Sequence, residues 1–292
     1  MILETVGLTK RYGTRTALHA VDLAVPTGCV YGLVGPNGAG KTTLLAVLAG
    51  LRRPTSGRIR CDVDRRSVAL LPDTPHFDAW LTGREVVALA KGLVAPHAPD
   101  ARVDAALADA GLTDAAARRV GGYSRGMLQR LGLAATMVGR PDLLLLDEPA
   151  SALDPAGRRE VLDLIARLRG HATVVLSSHI LADVQEVCDT VGILREGRLL
   201  FQGPLSDLLV GHAVPAYLLS VRSPAAPLVE RLRDQDWVTG VEEAGGRLRV
   251  GVRALAEAEL RLPGVLADVN ARVISLAPQA ADLENVFLEL TS

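Results

Sequence analysis

Gly35-Pro36-Asn37-Gly38-Ala39-Gly40-Lys41-Thr42 follows an apolar run at 29–34 and leads through Thr43 into a second apolar run ending at 51. The eight residues fit G-x-x-x-x-G-K-[ST], and their setting predicts a strand, a phosphate-binding loop and a helix. Gly35, Gly38 and Gly40 permit positive φ values and close backbone approach, so that successive N–H groups wrap a triphosphate. Pro36, Asn37, Ala39 and Thr43 complete the contact surface of the loop. Lys41 is the candidate for the β- and γ-phosphates, and the Thr42 hydroxyl for Mg²⁺. Lysine occurs only at Lys10, Lys41 and Lys91 among 32 basic residues. A lysine inside the loop is therefore no filler, since a planar guanidinium would not fit where a compact ammonium must sit.

A second anion-binding surface lies downstream, at Tyr123-Ser124-Arg125-Gly126-Met127-Leu128-Gln129-Arg130. Ser124 opens a predicted helix and Gly126 lets the backbone come close, which offers a hydroxyl, free N–H groups and a positive dipole end to a phosphate. The run 142–146, Asp142 and then four leucines, follows, ending in Asp147-Glu148-Pro149. A continuous apolar run between prolines suits a parallel strand covered on both faces, with its carboxylates at the carboxyl end, where ligands of open α/β sheets sit. Asp147 is the candidate to hold Mg²⁺, and Glu148 to orient and deprotonate an attacking water. Two solvated turn carboxylates are the bland alternative, and their fit to the phosphate loop argues against it.

At 292 residues and 49% hydrophobic content, the chain is long enough for one large core and a smaller one. A net charge of −1 gives no case for a polyanionic partner, and no nucleic acid is expected. Cys29, Cys61 and Cys188 are odd in number and lack C-x-x-C spacing, as in packed, reduced thiols of a cytosolic protein. The first residues have no signal-peptide pattern, and no run reaches the length of a membrane span.

Short strands are expected at 6–8 and 18–25 around a turn at 11–13, then at 57–62 and 67–71. Alanine- and leucine-rich helices follow in an insert at about 77–138. A helix at 156–169, a strand at 172–176 and a hairpin at 192–203 complete a domain at 1–210. The order predicts an α/β fold with a mostly parallel sheet, an antiparallel β subdomain and the helical insert. Pro204 and residues 211–215 read as a linker. Residues 216–292 read as strand 217–221, helix 227–234, hairpin 238–242 and 248–252 across Gly245-Gly246, helix 255–262, strand 272–276 and helix 281–290. This βαββαβ order is that of a small α+β ferredoxin-like domain. With only Tyr217, Trp237 and Phe287 as aromatics and no basic stripe, base stacking is poorly served, so a regulatory or dimer-contact module is expected.

With these motifs in place the chain resembles the nucleotide-binding subunits of ATP-binding-cassette (ABC) transporters, P-loop NTPases, over about 1–209. In that family's terms Gly35–Thr42 is Walker A, Tyr123–Arg130 the signature motif and 143–149 the Walker B strand. The resemblance implies further roles. Ser151-Ala152-Leu153-Asp154 is similar to the D-loop, with Asp154 at a dimer interface; His179 stands at the switch histidine that meets the γ-phosphate; Tyr12 matches the aromatic that stacks on adenine. Asp73 occupies the place of the Q-loop glutamine, one methylene shorter than the glutamate often found there, with a carboxylate for catalysis or Mg²⁺. The signature reads YSRGM rather than LSGGQ, and the tail from Asp282 to Thr291 resembles LEdvFlxLT. Both are similar to the drug and antibiotic exporter branch (ABC-2 type, daunorubicin-resistance-like).

The implied activity is hydrolysis of ATP with Mg²⁺, driving a separate transmembrane permease that exports a drug, antibiotic or other hydrophobic compound. One chain carries only half of the site: Ser124 and Gly126 serve a second copy in trans, so a homodimer on ATP binding is implied. The permease is expected near Asp73–Leu89, and the chain on the inner face of the cell membrane, cytoplasmic and peripheral. A soluble ABC ATPase acting on ribosomes or DNA is the alternative, disfavoured by the single Walker A and the absence of a heptad run. A P-loop kinase or GTPase has no use for the signature or the D-loop.

Overall fold

The computed structural model describes the chain except residues 152, 213–214, 223–224, 245–246, 280–282 and 292. Ala152 of the expected D-loop, the Gly245-Gly246 turn, and Ala281 and Asp282 at the start of the expected tail helix lie outside the described residues. The chain divides into two compact units, Met1–Asp207 with Leu290 and Thr291, and Leu208–Glu289.

In the first unit β1 (Leu3–Tyr12) pairs antiparallel with β2 (Arg15–Val21), β3 (Ala24–Val25) and β5 (Ser56–Cys61). The run 18–25, expected as one strand, is split, because β2 and β3 both pair with β1 and the chain turns between them. The second sheet has the order β10-β9-β4-β8-β7-β6. It comprises β4 (Val30–Val34), β6 (Val68–Leu71), β7 (Leu143–Asp147), β8 (Thr173–Ser178), β9 (Thr190–Arg195) and β10 (Arg198–Pro204), all parallel except the β9–β10 hairpin. Every residue of β4, β7 and β8 is buried, as expected of inner parallel strands with both faces covered. α1 (Lys41–Leu48) follows β4 and buries Leu44, Leu45 and Val47 in the core between the two sheets.

The insert consists of α2 (Gly83–Val94), α3 (Ala101–Asp109) and α4 (Arg125–Met137), with a core of its own around Val87, Leu107, Leu112 and Leu131. α2 starts sharply because Thr82 and Glu85 form a capping box: the Thr82 hydroxyl accepts from the Glu85 N–H, and the Glu85 carboxylate from the Thr82 N–H. That engagement, with Thr82 as the leading cause, holds the Glu85 carboxyl below its ordinary pKa. α5 (Pro155–Arg167) leads back to β8, and α6 (Leu181–Val187) joins β8 to β9. α7 (Leu205–His212) fills the span after Pro204 and runs into the first two residues of the expected 211–215 linker, burying Leu205 and Leu208.

The second unit contains β11 (Ala216–Val221), α8 (Ala226–Arg233), β12 (Val238–Ala244), β13 (Arg247–Val252), α9 (Leu255–Asp268) and β14 (Val273–Pro278), followed by α10 (Leu283–Thr291). The antiparallel order β12-β13-β11-β14 is ferredoxin-like, and Trp237, Leu219, Leu232 and Val250 centre its core. α9 runs past Pro263, where the sequence had suggested a stop. The ring removes one helical hydrogen bond, and burial of Val265 and Leu266 beyond it offsets that loss.

Candidate functional site

The parallel strands deliver their carboxyl ends to one edge of the sheet. There the loop after β4, the end of β7 and the end of β8 meet. The loop conformation needs its glycines: Gly38 and Gly40 have φ of 83° and 108°, and a Cβ on Gly35 would lie 2.2 Å from the Leu194 carbonyl oxygen. Ala39 packs inward, and its N–H donates to the Pro36 carbonyl at 3.1 Å.

A cleft of about 470 Å³ opens over this loop. Tyr12, Pro36, Asn37, Gly38, Gly40, Lys41, Thr42, Thr43, Asp73 and Glu148, all singled out in the sequence, line it together. Arg15 and Ala17 line it too, and nothing in their local sequence had marked them. Tyr12 is exposed at the rim, and the Lys10 ammonium lies 4.9 Å from its ring centre.

Lys41 is 6% exposed, and its ammonium donates to the Gly35 carbonyl at 2.6 Å. It also lies 3.1 Å from Glu148 Oε1. The other oxygen of that carboxylate, Oε2, is 2.8 Å from His179 Nδ1, and the His179 N–H points to it at 3.4 Å. Glu148 thus joins the end of β7 to the phosphate loop and to the turn after β8. Its own backbone is left-handed, with φ of 47°, a conformation that costs a non-glycine residue about 1–2 kcal/mol. Two hydrogen bonds hold it there: its N–H donates to Ser177 Oγ at 2.9 Å, and its carbonyl accepts from the Ser151 N–H at 3.1 Å.

Ser177 belongs to no motif of the sequence, yet it serves the site. Its hydroxyl donates to Asp147 Oδ1 at 2.6 Å, so one buried serine fixes both carboxylate residues. A signal existed: parallel pairing of the two apolar runs sets Asp147 opposite Ser177. Asp147 is 3% exposed, beneath the cleft, and not part of its wall. Asp73 lies in the wall, but its Oδ1 accepts from Ser151 Oγ at 3.1 Å and its Oδ2 from Thr74 Oγ1 at 3.4 Å.

Ser124, Gly126 and Asp154 are not brought to the cleft. Ser124 caps α4, accepting from the Met127 N–H at 3.2 Å, and Gly126 faces Leu153 of the segment before α5. Asp154 caps α5, accepting from the Gly157 N–H at 3.3 Å. Behind this segment the Arg158 guanidinium donates to Asp183 at 2.6 Å and ties α5 to α6. Burial is the leading influence on the Asp183 carboxyl and pushes its pKa up, against the pull of Arg158. Cys29 and Cys188 belong to packing: burial raises the first thiol to about 11 and the second further still.

The donor set fits Mg²⁺ with a nucleotide: a threonine hydroxyl and a buried carboxylate are hard oxygen ligands, and the glycine-built cradle with its ammonium suits phosphates. When bound, that ion supplies charge neutralisation at the β- and γ-phosphates. Fold and site define a P-loop ATPase of the α/β class with a helical insert.

A family model described as "ABC transporter" matches residues 18–151. The chain is 41% identical over 227 residues to the uncharacterized ABC transporter ATP-binding protein YxlF of Bacillus subtilis, covering 76% of this chain and 77% of that one. It is 35% identical over 314 residues to the daunorubicin/doxorubicin resistance ATP-binding protein DrrA of Streptomyces peucetius, covering 99% and 92%. Among solved structures, the ATP-binding subunit of an ABC transporter superposes with a TM-score of 0.66 at 28% identity, over 72% of this chain and 93% of that one. The chain belongs to the ABC transporter family, as an ATP-binding, ATP-hydrolysing subunit coupled to a membrane permease. Among the described residues no helix is long and apolar enough to cross a membrane.

Proposed function

We propose that two copies of this chain close head to tail over two molecules of Mg-ATP, hydrolyse them and reopen, and that this cycle drives export of a drug-like or antibiotic compound through a separate permease. The observation that carries the reading is the split site: the Walker A loop and Glu148 line one cleft, with His179 bonded to that carboxylate and Asp147 buried next to it in β7, while the Ser124-capped start of α4 is not part of the lining. Such a helix start becomes useful when a second copy presents it to the γ-phosphate.

In this reading Lys41 and the loop N–H groups hold the β- and γ-phosphates, Thr42 and Asp147 hold Mg²⁺, and Tyr12 stacks on the base. Glu148 takes the proton of the attacking water while His179 orients its carboxylate, and Asp154 lies at the interface between copies. Exposed Trp80 and Leu89 in the segment after Asp73 support a permease contact there, which would place the chain on the cytoplasmic face of the membrane. Edge strand β14 exposes Val273, Ile274 and Leu276 without a charge, which supports a contact role for the second unit. The drug-export branch rests on the resemblance to DrrA and on the YSRGM signature.

Mixing two inactive variants tests the split site. Lys41→Ala spoils the cis half and Ser124→Arg the trans half, so a mixed dimer contains one intact site. Activity regained on mixing is the expected result, and no recovery overturns the trans arrangement. For the cargo, the chain and its permease in vesicles should show ATP turnover stimulated by an anthracycline; stimulation by none of a panel of hydrophobic drugs would refute that branch. ATP turnover raised by ribosomes or DNA instead would favour a non-transport ATPase.

A further inference from the structure

Asp73 stands just past the end of β6, at the entry to the helical insert, and faces the nucleotide cleft. Its Oδ1 accepts the Ser151 hydroxyl at 3.1 Å. Ser151 is itself the last residue of the turn Glu148-Pro149-Ala150-Ser151, closed by its N–H on the Glu148 carbonyl at 3.1 Å. Glu148 opens that turn in the left-handed region, at φ of 47°. A conformation of that kind persists only where surrounding bonds over-determine it. Ser177 holds it from the N–H side, and Ser151 from the carbonyl side.

We infer that Asp73 is a positioning residue for Glu148, acting through Ser151: its carboxylate anchors the far end of the turn that aims the hydrolytic carboxylate at the cleft. The inference rests on Glu148 being the hydrolytic residue. An aspartate suits this task. Its short side chain reaches the hydroxyl of Ser151 from the edge of β6, and the bond needs only an acceptor oxygen at this position. The tether therefore links the start of the helical insert to the geometry of the reacting group.

This assignment separates cleanly from a direct role as metal ligand. Asp73→Asn keeps an acceptor oxygen and loses the charge, whereas Asp73→Ala and Ser151→Ala both remove the bond. For a tether, Asp73→Ala and Ser151→Ala each lower kcat about tenfold, the double variant is no worse than either single one, and Asp73→Asn, which keeps the acceptor oxygen, loses less than Asp73→Ala. KM for ATP and the half-saturating Mg²⁺ concentration stay unchanged. Hydrogen exchange of nucleotide-free protein gives a readout independent of turnover: the Ser151 amide exchanges about tenfold faster in Asp73→Ala and Ser151→Ala, and at the parent rate in Asp73→Asn. Losses that add in the double variant, parental exchange in Asp73→Ala, or an Asp73→Asn defect with a raised Mg²⁺ requirement would overturn the tether. Undiminished turnover in Glu148→Gln would instead sink the reading of Glu148 on which it rests.

Discussion

Glu148→Gln keeps the shape of the side chain and removes its charge and its basicity. The structure sets two separable effects. In the proposed role of general base, its loss costs about 10²- to 10⁴-fold in turnover. The second effect concerns Lys41, whose ammonium lies 3.1 Å from Glu148 Oε1 with both side chains largely buried. At an effective dielectric constant of about 20 that contact is worth about 5 kcal/mol of gross Coulomb attraction, most of it offset by desolvation. A nucleotide phosphate reaching Lys41 shares the ammonium with this carboxylate and is repelled by it. Removing the charge should tighten nucleotide binding by about 1–2 kcal/mol, or about 5- to 30-fold. Single-turnover hydrolysis, equilibrium binding of a fluorescent ATP analogue and light scattering of the eluting species measure the two effects and the accumulation of dimer. Hydrolysis within tenfold of the parent, or weaker nucleotide binding, would refute the reasoning.

Ser177→Ala removes the hydroxyl that donates to Asp147 and accepts from the Glu148 N–H, and leaves buried polar groups unpaired; denaturant unfolding should show a loss of about 1–3 kcal/mol, with turnover falling as well. Arg158→Ala strands the Asp183 carboxylate, which is 3% exposed, at a cost of about 3 kcal/mol near neutral pH. Asp183 has a raised folded-state pKa, so the folded protein binds more protons than the unfolded chain in the window above the ordinary carboxylate value, and stability falls as pH rises through it. Arg158 opposes that shift, so the variant should have a wider window and recover stability on acidification; a pH-independent loss would refute this account. At pH 8 a thiol raised to about 11 is thiolate in about one molecule in a thousand. Alkylation of the folded protein should therefore modify exposed Cys61 while sparing Cys29 and Cys188, and rapid labelling of all three would contradict the packing described here.

The phosphate loop was legible because its chemistry is local. Gly35, Gly38 and Gly40 are required by backbone geometry within eight residues, and Lys41 and Thr42 complete the same short pattern. Walker B was legible because a strand covered on both faces leaves an unbroken apolar run before its carboxylates. Arg15 and the tie from Asp73 to Ser151 were not legible, since each depends on distant segments, and Ser177 shows only once the strands around Asp147 and Ser177 are paired. Asp73 and Ser151 are 78 positions apart, and Asp147 and Ser177 are 30 apart.

By itself, then, the sequence determined the α/β class, the strand and helix order, and the ligand chemistry of the loop, because periodicity, glycine placement and side-chain type act over a few residues. Only the tertiary structure decided what Glu148 touches. Strand order β4-β8-β7 brings three chain segments to one edge, and there a single carboxylate meets Lys41, His179 and a turn held by Ser177 and Ser151. Parallel register, a property of the sheet and of no single strand, fixes those distances.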